Sequence, residues 1–201
     1  MQELLVDFIT SLDGYGAAKG WPGWWGLEGP EFLAWLDQQP ERHYTILMGA
    51  NTYRLMSGMA AESGSGEAHT KEDNAFAELT KASKVVFSST LQPPLSWSNT
   101  RLISEDAVEA VRELKREGNS PMRTVGSLSL CRSFLKAGLV DRFRVVVFAV
   151  ITGITGQERI YDGYPDVALD MVAGRMFDGK LQLLEYVPRV LAGPPGTHPG
   201  P

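Results

Sequence analysis

The sequence predicts an α/β fold in which a mostly parallel sheet, flanked by helices, closes on a C-terminal antiparallel hairpin. Three observations carry this reading. Short apolar runs at Leu4 to Ile9, Tyr44 to Met48, Lys84 to Phe87 and Thr124 to Val125 alternate with segments of helical periodicity. The run Val145 to Ile151 has no polar residue and is largely β-branched, as a buried strand requires. Asp178-Gly179 separates two strand-like segments, Asp166 to Phe177 and Lys180 to Val187, and this dipeptide suits a tight hairpin turn.

The first strand, Leu4 to Ile9, is interrupted only by Asp7 and leads into the turn Ser11, Leu12, Asp13, Gly14. Tyr15 to Trp25 reads as a loop rich in glycine and aromatics, with Trp21, Trp24 and Trp25. Tryptophans are costly to leave in water, so they cover the core as a lid, line a pocket for a flat ligand, or do both. Gly29 and Pro30 suit the start of a helix, and Phe32, Leu33, Trp35 and Leu36 form its apolar face through Gln39. Glu31 in its first turn answers the helix dipole; beside an aromatic loop it is also a candidate proton donor.

After the strand Tyr44 to Met48, the residues Gly49, Ala50, Asn51 and Thr52 lead into a short helix ending near Met56. Ser57 to Thr70 has the composition of a mobile surface loop, and helix resumes from about Glu72 to Lys81. The strand Lys84 to Phe87 ends in Ser88, Ser89 and Thr90, hydroxyls that suit a phosphate or ribose and equally suit an ordinary turn. A weak strand at Arg101 to Ile103 precedes a helix from Glu105 to about Arg116, with Val108, Val111 and Leu114 inward.

The stretch from Arg123 to Gly156 organises the rest. Thr124 and Val125 run into Gly126, and Ser127 opens a helix with Leu128, Leu130, Phe134 and Leu135 at helical spacing, ended by Gly138. A residue without Cβ lets an anion reach the backbone, where the free N–H groups and positive end of the helix meet it. A phosphate-bearing ligand is the natural guest. The alternative has Ser127 doing no more than capping its own helix.

At 201 residues and 43% hydrophobic, the chain suits one domain over 1–191, followed by a disordered Gly/Pro-rich tail over 192–201. A formal net charge of −5 offers no basic field, which argues against nucleic acid. The single cysteine, Cys131, excludes an intrachain disulfide and a thiolate cage and favours a reducing compartment. It lies near a helix start, where a thiol pKa can fall, although a small core residue is its commoner role. His43, His69 and His198 have no ligand-like spacing, so no metal is expected. The N-terminus shows no signal-peptide pattern, and the longest apolar run is far short of the roughly 20 residues a bilayer span needs. A cytoplasmic protein without membrane partners is expected.

Taken in order, Ser11-Leu12-Asp13-Gly14, Met48-Gly49-Ala50-Asn51-Thr52-Tyr53, Val86-Phe87-Ser88-Ser89-Thr90-Leu91, and Gly126-Ser127-Leu128-Ser129-Leu130 with Gly138-Leu139-Val140-Asp141 resemble the dihydrofolate reductase-like superfamily. Within it, the chain is most similar to the C-terminal reductase domain of the bifunctional riboflavin-biosynthesis deaminase-reductase, over roughly Leu4 to Val187. The resemblance implies a three-layer dihydrofolate reductase-like fold and a homodimer. It also implies a reductase that transfers hydride from NADPH to a small planar heterocycle, pyrimidine- or pterin-like, of which 5-amino-6-(5-phosphoribosylamino)uracil is one case.

By that resemblance, Gly49, Asn51 and Thr52 would meet one end of the cofactor's phosphates, Ser88, Ser89 and Thr90 the adenosine side, and Gly126, Ser127, Leu128 and Ser129 the pyrophosphate. Asp13, Gly14, Trp24 and Trp25 would border the nicotinamide and substrate, with Asp13 and Glu31 as the catalytic candidates. Three positions depart from the pattern. Ala50 replaces the arginine that grips the NADPH-specific phosphate, so NADH is not excluded. Phe32 stands where folate reductases carry an acid, with Glu31 one step earlier, which argues against folate. Ala149 and Gly153-Ile154-Thr155-Gly156 replace a proline and a Gly-x-Gly after the last long strand. A non-catalytic nucleotide-binding or sensor protein on the same fold is the alternative. The final hairpin, with Leu181, Leu183, Leu184, Tyr186 and Val187 and few charges, adds its own support for a homodimer.

Overall fold

A computed structural model describes residues 1–20, 23, 25–39, 43–63 and 77–196. The chain runs β1 (Leu4–Ser11), β2 (Tyr15–Ala18), α1 (Pro30–Asp37), β3 (Thr45–Gly49) and α2 (Ala50–Ser63), followed by a helical segment α3 at 77–81. It continues through β4 (Ser83–Phe87), β5 (Thr100–Ile103), α4 (Ala107–Glu117), β6 (Met122–Thr124), α5 (Leu128–Lys136) and β7 (Arg142–Phe148). A 3-10 turn at Gly153–Thr155, β8 (Gly156–Arg159), β9 (Val167–Phe177) and β10 (Leu181–Val190) complete it.

Eight strands form one sheet in the order β5-β4-β3-β6-β1-β7-β10-β9, and β2 pairs with β8 in a separate ribbon. The strands from β5 across to β7 are parallel, and the β9–β10 hairpin joins antiparallel to β7. The fold is therefore the α/β arrangement with an antiparallel hairpin at one edge that the sequence predicts. The pleat sorts β1 between two layers: Leu4, Val6 and Phe8 face the core shared with α4 and α5, while Ile9 packs with the α1 residues Phe32, Leu33 and Trp35 on the other face. Tyr53 of α2 and Leu79 of α3 join Ile46, Met48 and Trp97 on that second face.

Asp7, the interruption in the first strand, is paid for by its neighbours. β1 lies between β6 and β7, which brings Arg123 and Arg144 to either side of Asp7. Arg144 grips the carboxylate with Nε at 3.0 Å and Nη2 at 2.8 Å, and Arg123 Nε lies 3.0 Å away. Burial alone would push the Asp7 carboxyl up; the two guanidiniums outweigh it and hold the pKa below the ordinary value. Arg144 also lies over the Trp35 ring and donates to Gln39, which ties the end of α1 to the sheet. Asp141 similarly fastens the α5–β7 turn: it accepts from the Leu4 amide at 2.7 Å and pairs with Lys115 of α4.

Several expectations change. α2 continues to Ser63, so the first part of the stretch expected as a loop is helix, while residues 64–70 lie outside the described residues. Of the helix expected from Glu72, only 77–81 is described. β7 begins three residues earlier than expected, because Arg142 and Arg144 are strand residues whose charges are met by Glu3 and Asp7. It also ends at Phe148; beyond it, Leu12 N–H donates to the Val150 carbonyl across to the β1 turn. Tyr15–Ala18, expected as loop, is a strand because β8 supplies its partner from far along the chain. Trp21, Trp24 and the end of the tail, 197–201, lie outside the described residues.

Candidate functional site

β3 and β6 are neighbours in the sheet, yet β3 leads into α2 on one face and β6 into α5 on the other. Adjacent strands that send their helices to opposite faces open a crevice at their C-terminal ends, where ligands of open α/β sheets gather. The two predicted phosphate turns meet there. Gly49 N–H donates to Ser127 Oγ at 2.6 Å, and Thr52 Oγ1 lies 2.9 Å from the same oxygen. A Cβ on Gly126 would sit 3.0 Å from Thr52 Oγ1, and one on Gly49 would sit 3.2 Å from Ser127 Oγ, so the turns approach closely because both residues are glycine.

Ser127 does not cap its own helix: it stands at the N-cap of α5 with φ of 64° and no side-chain cap bond. The capping alternative is thereby overturned, since the hydroxyl is turned across the crevice to Gly49 and Thr52 instead. The first-turn amides of α5 accordingly face the crevice without a side-chain acceptor from the N-cap, beside the hydroxyls of Thr52 and Ser127, which suits a phosphate. Leu128 and Ser129 open that turn. The Gly49 amide is committed to Ser127. Asn51 and Arg54 share the exposed start of α2, with Arg54 Nη1 donating to Asn51 Oδ1 at 3.1 Å. At the end of β4, Ser88 Oγ accepts from the Thr90 and Leu91 amides, so this hydroxyl builds its own turn, with Ser89 and Thr90 exposed beside it.

Both acid candidates are engaged by hydrogen bonds within the fold. Ser11 Oγ donates to Asp13 at 2.6 Å, and the amides of Thr152 and Gly153 donate to the same carboxylate. The Ser11 bond is the largest influence, and together with the two amides it outweighs partial desolvation and holds the Asp13 pKa at about 2. Asp13 is therefore an anionic clamp between the β1 turn and the segment after β7. Glu31 accepts from the Asp178 amide at 2.7 Å, while the Asp178 carboxylate accepts from the Glu31 and Phe32 amides at 3.0 and 3.2 Å. The hairpin turn thus caps α1 reciprocally, and Gly29 is required because a Cβ there would fall 2.2 Å from Asp178 Cγ. Glu31 is thus a structural partner of Asp178.

Gly14 packs against the Tyr161 ring, which a Cβ would approach to 3.3 Å. Trp25 packs on Phe148 with ring centroids 5.5 Å apart, so it covers the core as the lid reading holds. Its Nε1, and Oε2 of Glu28 in the same loop, are buried without a hydrogen-bond partner among the described residues. Cys131 is fully buried and burial pushes its thiol up to about 12, the reverse of the fall that a helix start allows. Thr152, Tyr161 and Asp178 were not legible as neighbours of Asp13, Gly14 and Glu31: each reaches its place through contacts far apart in sequence.

A family model for the RibD C-terminal domain matches residues 2–183. The chain belongs to the RibD C-terminal domain family. Membership supports a reductase of the riboflavin-pathway type. Among curated relatives of this RibD C-terminal domain protein, the uncharacterized protein YyaP of Bacillus subtilis (strain 168) is 26% identical over 187 residues, spanning 92% of this chain and 94% of YyaP. A putative riboflavin biosynthesis protein from Shewanella sp. PV-4 superposes with a TM-score of 0.68 at 19% identity, covering 94% of this chain and 99% of that one. Dihydrofolate reductase from Enterococcus faecalis, complexed with NADP(H), superposes with a TM-score of 0.57 at 14% identity, covering 92% and 96%. These likenesses show the dihydrofolate reductase-like fold. No helix among the described residues is long and apolar enough to cross a membrane.

Proposed function

We propose that this protein is an NAD(P)H-dependent reductase that passes hydride to a small planar heterocycle, pyrimidine- or pterin-like, with 5-amino-6-(5-phosphoribosylamino)uracil reduction as its pathway form. The observation that supports it most is the crevice between β3 and β6, where the starts of α2 and α5 face each other across the Gly49–Ser127 bond. The α5 amides, Thr52 and Ser127 would hold the pyrophosphate, and Ser89 and Thr90 would face the adenosine side. A bound reduced nicotinamide supplies the hydride; the chain's part is to orient the rings and exclude water. Trp25 Nε1 and Glu28 Oε2, buried without partners among the described residues, are a donor and an acceptor of the kind that a heterocycle edge satisfies.

The non-catalytic nucleotide-binding reading draws on a different observation. Both Asp13 and Glu31 are committed to backbone amides, so neither stands ready to move a proton. Titration of NADPH and NADH, followed by calorimetry and tryptophan fluorescence, tests the shared premise. Saturable binding of either cofactor supports the crevice assignment, and absence of binding at millimolar cofactor overturns it. Oxidation of bound NADPH on adding pyrimidine or pterin substrates then separates reductase from sensor.

A further inference from the structure

Arg132 of α5 is a cation without a counter-charge. Arg123 and Arg144 meet Asp7, Arg142 meets Glu3, Lys115 meets Asp141, and the buried Lys84 ammonium donates to three backbone carbonyls. The Arg132 guanidinium makes no hydrogen bond or ion pair among the described residues, not even with Asp162 beside the turn that it touches; its Nε is buried and its terminal nitrogens are not. The chain nonetheless closes directly upon it. Gly163 holds φ of 71°, and a Cβ there would fall 3.1 Å from Arg132 Nη1 and 3.3 Å from Nε, an approach that glycine permits.

A second unpartnered donor stands beside the first. The Tyr164 hydroxyl is buried with no hydrogen-bond partner among the described residues, and its ring meets Phe143 of β7 and Tyr161 edge-on, with centroids 6.4 and 6.3 Å apart. Burial pushes this phenol well above its ordinary pKa, while Arg132 lies near enough to work against the rise. The pair therefore offers several N–H donors, one O–H and a full positive charge, with no negative charge to meet them. A buried donor left unpaired costs stability that an apolar side chain would not, so a structural role alone does not account for these two residues.

Their place is not the crevice. Leu130 faces Gly49, where a Cβ would lie 3.8 Å from Leu130 Cδ1, and Arg132, two residues on, is turned about 200° round the helix from it. It faces instead the turn after β8, which the Ile160 N–H fastens to the Gly14 carbonyl at 2.9 Å. We propose that Arg132 and Tyr164 form an anion subsite on this flank of α5, toward β1 and β7, that takes one phosphate group, free or carried by a small molecule. Phosphate has enough acceptor oxygens for a guanidinium fork and a phenol together, where a carboxylate would leave donors unmet. Tyr161, half exposed, presents an aromatic face alongside for an organic group attached to the anion.

Calorimetric titration of the full chain with inorganic phosphate at fixed ionic strength tests this, with Arg132→Met and Tyr164→Phe as variants. The natural chain should bind phosphate saturably in the millimolar range; Arg132→Met should remove that binding, and Tyr164→Phe should weaken it several-fold. Each variant deletes an unpartnered polar group and keeps the apolar bulk, so its thermal transition without phosphate should stay where it is or rise. Phenyl phosphate separates the two sources of the anion: tighter binding than inorganic phosphate identifies an aromatic ligand with a phosphate group, and equal binding identifies free phosphate, either of which supports the subsite. The probe contains no nicotinamide, so the result stands apart from the cofactor reading of the crevice. Absence of saturable binding at millimolar phosphate and phenyl phosphate, or binding that Arg132→Met or Tyr164→Phe leaves unchanged, overturns the proposal.

Discussion

Gly49 N–H donates to Ser127 Oγ at 2.6 Å and thereby ties the start of α2 to the start of α5 across 78 residues of sequence. Ser127 holds a left-handed backbone to make this bond, with φ of 64°. The hydroxyl is thus a strut that sets the width of the crevice, and its removal has two measurable effects.

Ser127→Ala leaves the Gly49 amide without its partner, which costs about 1 kcal/mol of folding stability, the low end for a group that is only part-buried. NADPH affinity should fall by roughly tenfold as the two helix starts lose registry. Urea unfolding and calorimetric titration check the two effects. Unchanged NADPH affinity beside lowered stability would confine Ser127 to a structural role.

Asp178→Ala should destabilise the fold by about 1–2 kcal/mol, because α1 then loses the acceptor for two first-turn amides and Gly29 offers no side chain in its stead. Glu31→Gln should weaken the reciprocal bond with little effect on turnover. Thermal unfolding and turnover measured on the same preparations decide the matter: a fall in turnover at full stability would return Glu31 to the reaction.

Asp13 makes stability depend on acid. Its folded pKa of about 2 lies below the ordinary 3.8, so the stabilisation it contributes is fully present above about pH 4 and is lost as pH falls through about 2. Asp13→Asn should remove that part of the profile. Denaturant unfolding of both proteins between pH 2 and 6 should therefore show curves that differ above pH 4 and converge in stronger acid. Parallel curves throughout this range would exclude the clamp.

Ala50→Arg should shift cofactor choice toward NADPH. A charged hydrogen bond to the 2′-phosphate contributes about 1.5–3 kcal/mol, or roughly ten- to a hundredfold in relative affinity. Competitive titration of NADPH against NADH measures the ratio. If it does not move, that phosphate is held elsewhere, for which Arg54 at the same helix start is the nearest candidate by sequence.

Periodicity and turn chemistry made much of the scaffold legible. Asp178 and Gly179 take φ of 52° and 66°, as the hairpin signal requires, and Pro30 begins α1 as its missing N–H allows. Local rules act over a few residues, so they place such elements well. They failed where a strand owes its existence to a distant partner: Tyr15–Ala18 has little apolar alternation of its own and is a strand because β8 supplies hydrogen bonds from Gly156 to Arg159. Likewise Arg142 and Arg144 disguised the start of β7: Arg142 pairs with Glu3, and the burial of Arg144 is tolerable only once Asp7 is alongside.

The amino-acid sequence by itself determined the α/β class, the strand-glycine-helix junction at Gly126 and the family to which the chain belongs, because those rest on short-range pattern. Only the tertiary structure decided what the polar side chains do. Ser127 and Glu31 each had a local reading, as helix cap and as first-turn acid, that the sequence could not choose against. Folding brings Gly49 to one and Asp178 to the other, and a hydroxyl or carboxylate bonds to whichever backbone amide the fold sets within about 3 Å of it.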